Sequence, residues 1–68
     1  MNVITNRIIN LRKEIARIER NIESRKDLWV EMVMLERMPV AEMIEREIED
    51  LEEILEPLTL ELIKLEDV

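Results

Sequence analysis

The chain has 68 residues, of which 47% are hydrophobic and 40% are charged, and its formal net charge at pH 7 is −7. It contains no cysteine, histidine or glycine, which excludes disulfides, zinc and haem ligation by those side chains, and glycine-rich phosphate loops. A domain this small buries only about 60% of the surface of its unfolded chain, so we expect self-association to complete its core.

The first predicted element is a helix over residues 3–37. Apolar side chains recur there at alternating steps of four and three residues, the spacing of a coiled-coil seam. Asn2 or Thr5 is suited to cap its start. Ser24 followed by Asp27 has the form of a capping box, so a break there is the alternative to a continuous helix. The seam residues are Ile4, Ile8, Leu11, Ile15, Ile18, Ile22, Trp29 and Met32.

A corner at residues 37–40 is predicted to separate this helix from a second one over residues 40–66. If the first apolar frame continued past Pro39, it would place Arg46 and Asp50 in the seam, so the helical phase has to be reset. Pro39 disfavours helix in the residue before it and suits the first turn of a new helix. The second seam consists of Ala41, Ile44, Ile48, Leu51, Leu55, Leu58, Leu62 and Leu65.

Pro57 lies inside the second predicted helix, where proline removes one backbone hydrogen bond and costs about 3 kcal/mol. Because the apolar frame continues across it, we predict a kink or a brief interruption at Pro57 rather than the end of the helix. The alternative is that residues 58–62 form a strand, because their leucines recur at every second position, as in a half-buried strand.

These elements predict an all-α protein with a single domain over residues 1–68. Its fold is an antiparallel helical hairpin with coiled-coil-like heptads, and we expect two hairpins to assemble into a four-helix bundle as a homodimer. The abundance of Glu, Arg, Lys and Ile favours a thermophilic source, and the compact design is typical of proteins encoded by viruses or plasmids.

The distribution of charge favours the antiparallel arrangement. Residues 1–26 carry +4 and residues 27–68 carry −11, which sum to −7. Folding the chain back at the corner brings basic side chains of the first helix to the acidic tract of the second, and the sign of such pairs fixes orientation. The side chains expected to approach residues 49–56 are Arg20, Arg25 and Lys26.

The stretch from residue 28 to residue 44 carries more apolar side chains than one seam can bury, and it holds four of the five methionines. Methionine is common on adaptable binding surfaces. We therefore predict a small adaptor or regulatory protein that binds a protein partner at the corner. The predicted interface consists of Leu28, Trp29, Val30, Met32, Val33, Met34, Leu35, Met38, Val40, Met43 and Ile44.

The outward face of the first helix indicates an alternative function, a regulator that binds nucleic acid. Asparagine and basic side chains on one rigid face suit contacts with phosphates and base edges. A purely structural oligomeriser is a further alternative, as is docking of the acidic residues 42–56 into a basic groove of a partner. The nucleic-acid face would consist of Asn6, Asn10, Lys13, Arg17 and Arg20.

We expect neither catalysis nor a cofactor, a metal or a small-molecule substrate. The only hydroxyls are those of Thr5, Ser24 and Thr59, and a carboxylate metal site in a bundle would also use histidines that this chain lacks. No apolar stretch is long enough to span a bilayer and no signal-peptide pattern occurs, so we expect a cytoplasmic protein without membrane contact.

Overall fold

The computed structural model describes residues 2–67, which form two helices, α1 (Val3–Met34) and α2 (Met38–Glu66). The two helices pack against each other, and the described residues include no strand. The prediction of an all-α helical hairpin is therefore confirmed. The two ends of the predicted domain, residues 1 and 68, lie outside the described residues.

The start of α1 uses one of the two predicted caps. The side-chain Oδ1 of Asn2 accepts a hydrogen bond from the backbone N–H of Thr5 at 2.7 Å, which satisfies one of the free donors of the first turn. α1 then continues through Ser24 without a break, so the capping-box alternative is not realised. The helix ends at Met34, three residues before the predicted end at Arg37.

A Schellman motif ends α1. The backbone N–H of Glu36 donates to the carbonyl of Val33 at 3.0 Å, and that of Arg37 donates to the carbonyl of Met32 at 2.8 Å. Glu36 occupies the left-handed position of the motif with φ of 59°, where glycine is the usual residue. The corner therefore occupies residues 35–37 rather than the predicted 37–40.

α2 begins directly after this corner. Arg37 is its N-cap residue and makes no capping hydrogen bond through its side chain, while Pro39 lies in the first turn, as predicted. The helix continues through Pro57, so the brief interruption considered from the sequence is absent, and the bend remains a prediction. Residues 58–62 are helical, which overturns the strand alternative.

The core consists of a few side chains along the interhelical seam. Every predicted seam residue except Ile4, which is 49% exposed, is buried or half-buried. The buried side of each helix is therefore the one that the apolar spacing predicts. The buried hydrophobic side chains are Leu11, Ile18, Ile22, Ala41 and Ile44.

The hairpin is a rod that measures 51 × 16 × 13 Å. Its radius of gyration is 15.6 Å, whereas a compact domain of this length has about 11 Å. Its accessible surface is 5420 Å², about 900 Å² above the value of about 4,500 Å² expected for a compact protein of 8.2 kDa. Two helices alone therefore leave an unusually large surface exposed to water.

Replacing Glu36 by glycine is expected to raise the free energy of unfolding by about 1 kcal/mol, because glycine adopts a positive φ without the steric cost that a β-carbon imposes. Glu36→Ala is the matched control, since it removes the carboxylate but keeps the β-carbon. Urea denaturation followed by circular dichroism measures both variants. Equal stability of the glycine and alanine variants would contradict the left-handed assignment at this position.

Candidate functional site

The eleven side chains predicted as a protein interface lie together around the corner, and we call this set the apolar corner. Ile44 is buried in the seam and is not accessible to a partner, whereas Leu28, Trp29 and three others are half-buried. Met34 is the most accessible of the set at 78%. The exposed members are Val30, Met34, Leu35, Met38 and Met43.

Acidic side chains surround the apolar corner. Residues 27–45 contain five acidic side chains and one basic one, Arg37. All five acids are exposed, so they are free to attract a basic partner. The acids are Asp27, Glu31, Glu36, Glu42 and Glu45.

One lateral side of the hairpin, which we call side A, carries a groove of about 320 Å³ between the helices. Arg25 of α1 approaches Glu47 of α2 across it, with Nη2 and Oε2 3.5 Å apart. Arg25 was predicted to approach the acidic tract of residues 49–56, and the carboxylate that it meets, Glu47, lies two residues before this tract. The groove is lined by Asn21, Arg25, Glu47, Asp50 and Leu51.

The opposite side, which we call side B, has a smaller groove of about 240 Å³. Lys26 and Glu52 both line it but form no ion pair within 4 Å. Arg20, also expected to meet the acidic tract, is absent from the ion pairs of the described residues. The lining residues of this groove are Glu19, Ile22, Glu23, Lys26, Glu52 and Leu55.

Ion pairs also join the free ends of the helices. Arg7 donates two hydrogen bonds to Glu61, from Nε to Oε2 at 2.6 Å and from Nη2 to Oε1 at 2.7 Å, and Arg12 pairs with Glu66. The hydrogen bonds from Arg7 lower the pKa of the Glu61 carboxyl and Glu61 raises the pKa of Arg7, because each charge stabilises the other. This bidentate pair fixes the relative position of the two ends.

The residues proposed from the sequence to contact nucleic acid all lie on the exposed outer surface of α1. Glu14 pairs with Arg17 on this surface, an acid that the sequence analysis had not placed there. Part of the positive charge of the face is therefore already neutralised within the helix. The five residues Asn6, Asn10, Lys13, Arg17 and Arg20 keep their common face.

Some exposed apolar residues were missed by the sequence analysis because they lie outside the seam frame. Ile54 is 53% exposed and follows Glu47 by seven residues, so it lies on side A. Leu60 and Ile63 are similarly exposed on other surfaces of α2. A helical wheel drawn for positions that flank the seam, rather than for the seam alone, would have identified Ile54.

The described residues contain no group of three or more acidic side chains placed to hold a metal ion. Neither α1 nor α2 has an apolar stretch of the length that crossing a bilayer requires. In the described part of the chain, no buried side-chain nitrogen or oxygen lacks a hydrogen-bond partner. The chemical features of the surface are therefore apolar patches and charge.

Comparison with protein-family models, with curated proteins and with solved structures finds no match to this chain.

The pKa of Glu61 provides a test of the bidentate contact. Arg7→Gln is expected to raise this pKa towards its ordinary value, because the charged hydrogen-bond donor is lost. Since the folded-state pKa is depressed, the stabilisation by this pair is present above the unfolded-state pKa and is lost as the pH falls through the folded-state value. Titration of the side-chain carboxyl by NMR measures the shift, and an unchanged pKa in the variant would contradict the contact.

Proposed function

We propose that this protein is a small non-enzymatic adaptor, which pairs with a second copy into a four-helix bundle and presents its apolar corner to a protein partner. The observation that supports this most is the exposure of Met34, Leu35 and their neighbours at one end of a rod with few fully buried side chains. Apolar patches of this kind on small proteins mark interaction sites.

The surplus of accessible surface supports pairing with a second copy. The hairpin exposes about 900 Å² more than a compact protein of its mass, and a stable interface of standard size buries about 800 Å² on each partner. A second hairpin is the smallest assembly that covers such an area. In a four-helix bundle, each hairpin also packs against a second layer of helices, which an isolated hairpin lacks.

The chemistry of the corner favours an amphipathic helix with basic residues as the partner. Unbranched methionine side chains adapt to the apolar face of a helix, and Met34, Met38 and Met43 are each about half exposed or more. The surrounding carboxylates, among them Glu31 and Glu42, attract positive charge at the rim. An acidic or neutral partner gains nothing from this rim.

Binding of nucleic acid by the outer face of α1 remains the second candidate. The exposure of Lys13 and Arg20 supports it, because both cations are accessible. The pairing of Arg17 with Glu14 and the net charge of −7 oppose it, because both weaken attraction to phosphates. A purely structural oligomeriser is the third candidate and predicts no heterologous binding.

Fluorescence of Trp29 provides the test of the proposed partner. Trp29 is the only tryptophan and lies half-buried in the apolar corner, so a helix that docks there should change its emission. An amphipathic peptide of leucine and lysine is the probe. Met34→Ser is expected to weaken its binding about tenfold, because the apolar contact of one exposed methionine is lost.

Leu60→Ser is the control, since Leu60 is, like Met34, a large exposed hydrophobic residue, at 51% against 78%, but lies far from the corner in the sequence of α2. We expect this variant to bind the peptide as the unmodified protein does, and a leucine and glutamate peptide to bind more weakly. No change in emission with the basic peptide, or equal losses in the two serine variants, would refute docking at the corner.

A further inference from the structure

The two helices present opposite charges on side A. Helical spacing places Arg17 four residues before Asn21 of the groove, on the α1 half of this side, where Arg7 and Arg25 lie at its edge. These three arginines are accompanied by one acid, Glu14, so the α1 half keeps a net charge of +2, and each arginine also pairs within the chain: Arg7 with Glu61, Arg17 with Glu14 and Arg25 with Glu47. The α2 half carries three carboxylates and no basic side chain. They are those of Glu47, Asp50 and Glu61.

Side A also has an apolar end. Leu28 follows Asn21 by seven residues and Met43 precedes Asp50 by seven, so both lie on this side next to the corner. Leu35 continues the α1 stripe into the corner and is 57% exposed, and Met43 is 52% exposed. Side A thus has exposed apolar side chains at the corner, together with Ile54 farther along α2 and Val3, five helical turns before Asn21, at the free end of α1.

We propose that two copies pack through side A about a two-fold axis parallel to the helices, so that both corners lie at the same end of the bundle. In this arrangement α1 of each copy lies antiparallel to α2 of the other. The inference rests on the self-association in the proposed function and specifies its geometry. The occupant of side A is therefore a second copy of this chain.

The charges on side A favour this arrangement over the main alternative. With the axis parallel to the helices, the arginine-rich half of side A faces the carboxylate half of the partner subunit. With the axis perpendicular to the helices and in the plane of the hairpin, α1 faces α1 and α2 faces α2, which places the acidic half of side A, with Glu47 and Asp50 near the middle of α2, against the acidic half of the partner subunit. Juxtaposed like charges are unfavourable and select against the second arrangement.

The apolar side chains at the corner independently favour the arrangement in which both corners lie at one end. When both corners lie at one end, Leu28 is at the level of the partner subunit's Met43, and burial of both covers the exposed surface of this end. When the corners lie at opposite ends, the same residues are at the level of Asn10 and Glu61 of the partner subunit. That contact would desolvate the polar groups of Asn10 and Glu61 against apolar side chains.

Side B is less suited to this contact. Its α1 half carries Glu19 and Glu23 together with the basic residues Arg12 and Lys26, so it has no net charge of its own. Its α2 half is acidic. Stacking side B on side B therefore brings the glutamates of α1 against those of α2 and lacks the complementarity of side A.

The arrangement has a consequence for the partner site. Val30 follows Lys26 by four residues and Met34 follows Val30 by four, so both lie towards side B and stay exposed when side A is covered. Met38 precedes Glu52 of the side B groove by fourteen residues, about four helical turns, and lies towards the same side. A dimer with both corners at one end thus offers two copies of this apolar set at the same end of the bundle, one on each outer side.

Distances between spin labels test the arrangement. The chain has no cysteine, so Glu42→Cys near the corner and Lys64→Cys near the free end each provide one labelling site, and both residues are exposed. The two positions are about 33 Å apart along α2. Double electron–electron resonance with orthogonal labels measures the distance from 42 to 42, from 64 to 64 and, in mixed dimers, from 42 to 64.

Both like-position distances are expected to be shorter than the mixed distance between subunits. A mixed distance shorter than both would place the corners at opposite ends and overturn this inference, while leaving self-association intact. Absence of any dipolar coupling between subunits at the highest concentrations would overturn the self-association itself, and this inference with it.

A pair of charge reversals tests the choice of side. Arg17→Glu on side A is expected to raise the dissociation constant of the dimer about tenfold, because it opposes a carboxylate to the acidic half of the partner subunit. Lys26→Glu on side B makes the same change of charge and is expected to leave the constant within about twofold. A larger effect of Lys26→Glu in sedimentation equilibrium would assign the interface to side B.

Discussion

Two helices share only one face, and this constraint governs the whole molecule. The seam between α1 and α2 buries five hydrophobic side chains, while apolar residues outside it, such as Leu35, Met43 and Ile54, remain more than half exposed. Since burial of apolar surface is the main driving force of folding, a hairpin of this size depends on further contacts. The rod shape and the surplus of accessible surface both follow from this shortage of buried apolar contacts.

Spacing of apolar residues was sufficient to predict the helices and the sides by which they pack. The position of the corner was not, because the turn uses Glu36 in a left-handed conformation and the sequence contains no glycine to mark it. Local signals at Ser24 suggested a break that the structure lacks. There the continuous seam from Ile18 to Ile22, both buried, outweighs the local capping preference.

The candidate surfaces were predictable to a similar extent. An excess of apolar residues in 28–44 located the corner, but this excess counted Ile44 as part of the interface, although the apolar spacing also places Ile44 in the second seam, where it is buried. The opposite charges of the chain halves predicted an antiparallel hairpin. Which cations meet which acids depends on side-chain reach, so the pairs Arg7–Glu61 and Arg25–Glu47 emerged only from the structure.

The central claim is that a second copy covers the surface that one hairpin leaves exposed. Sedimentation equilibrium of the unmodified chain at neutral pH tests it most directly, because the method reports mass independently of the elongated shape. The account predicts a particle of twice the 8.2 kDa chain mass at micromolar concentrations and above. A monomer of 8.2 kDa that stays folded throughout the accessible concentration range would contradict the account.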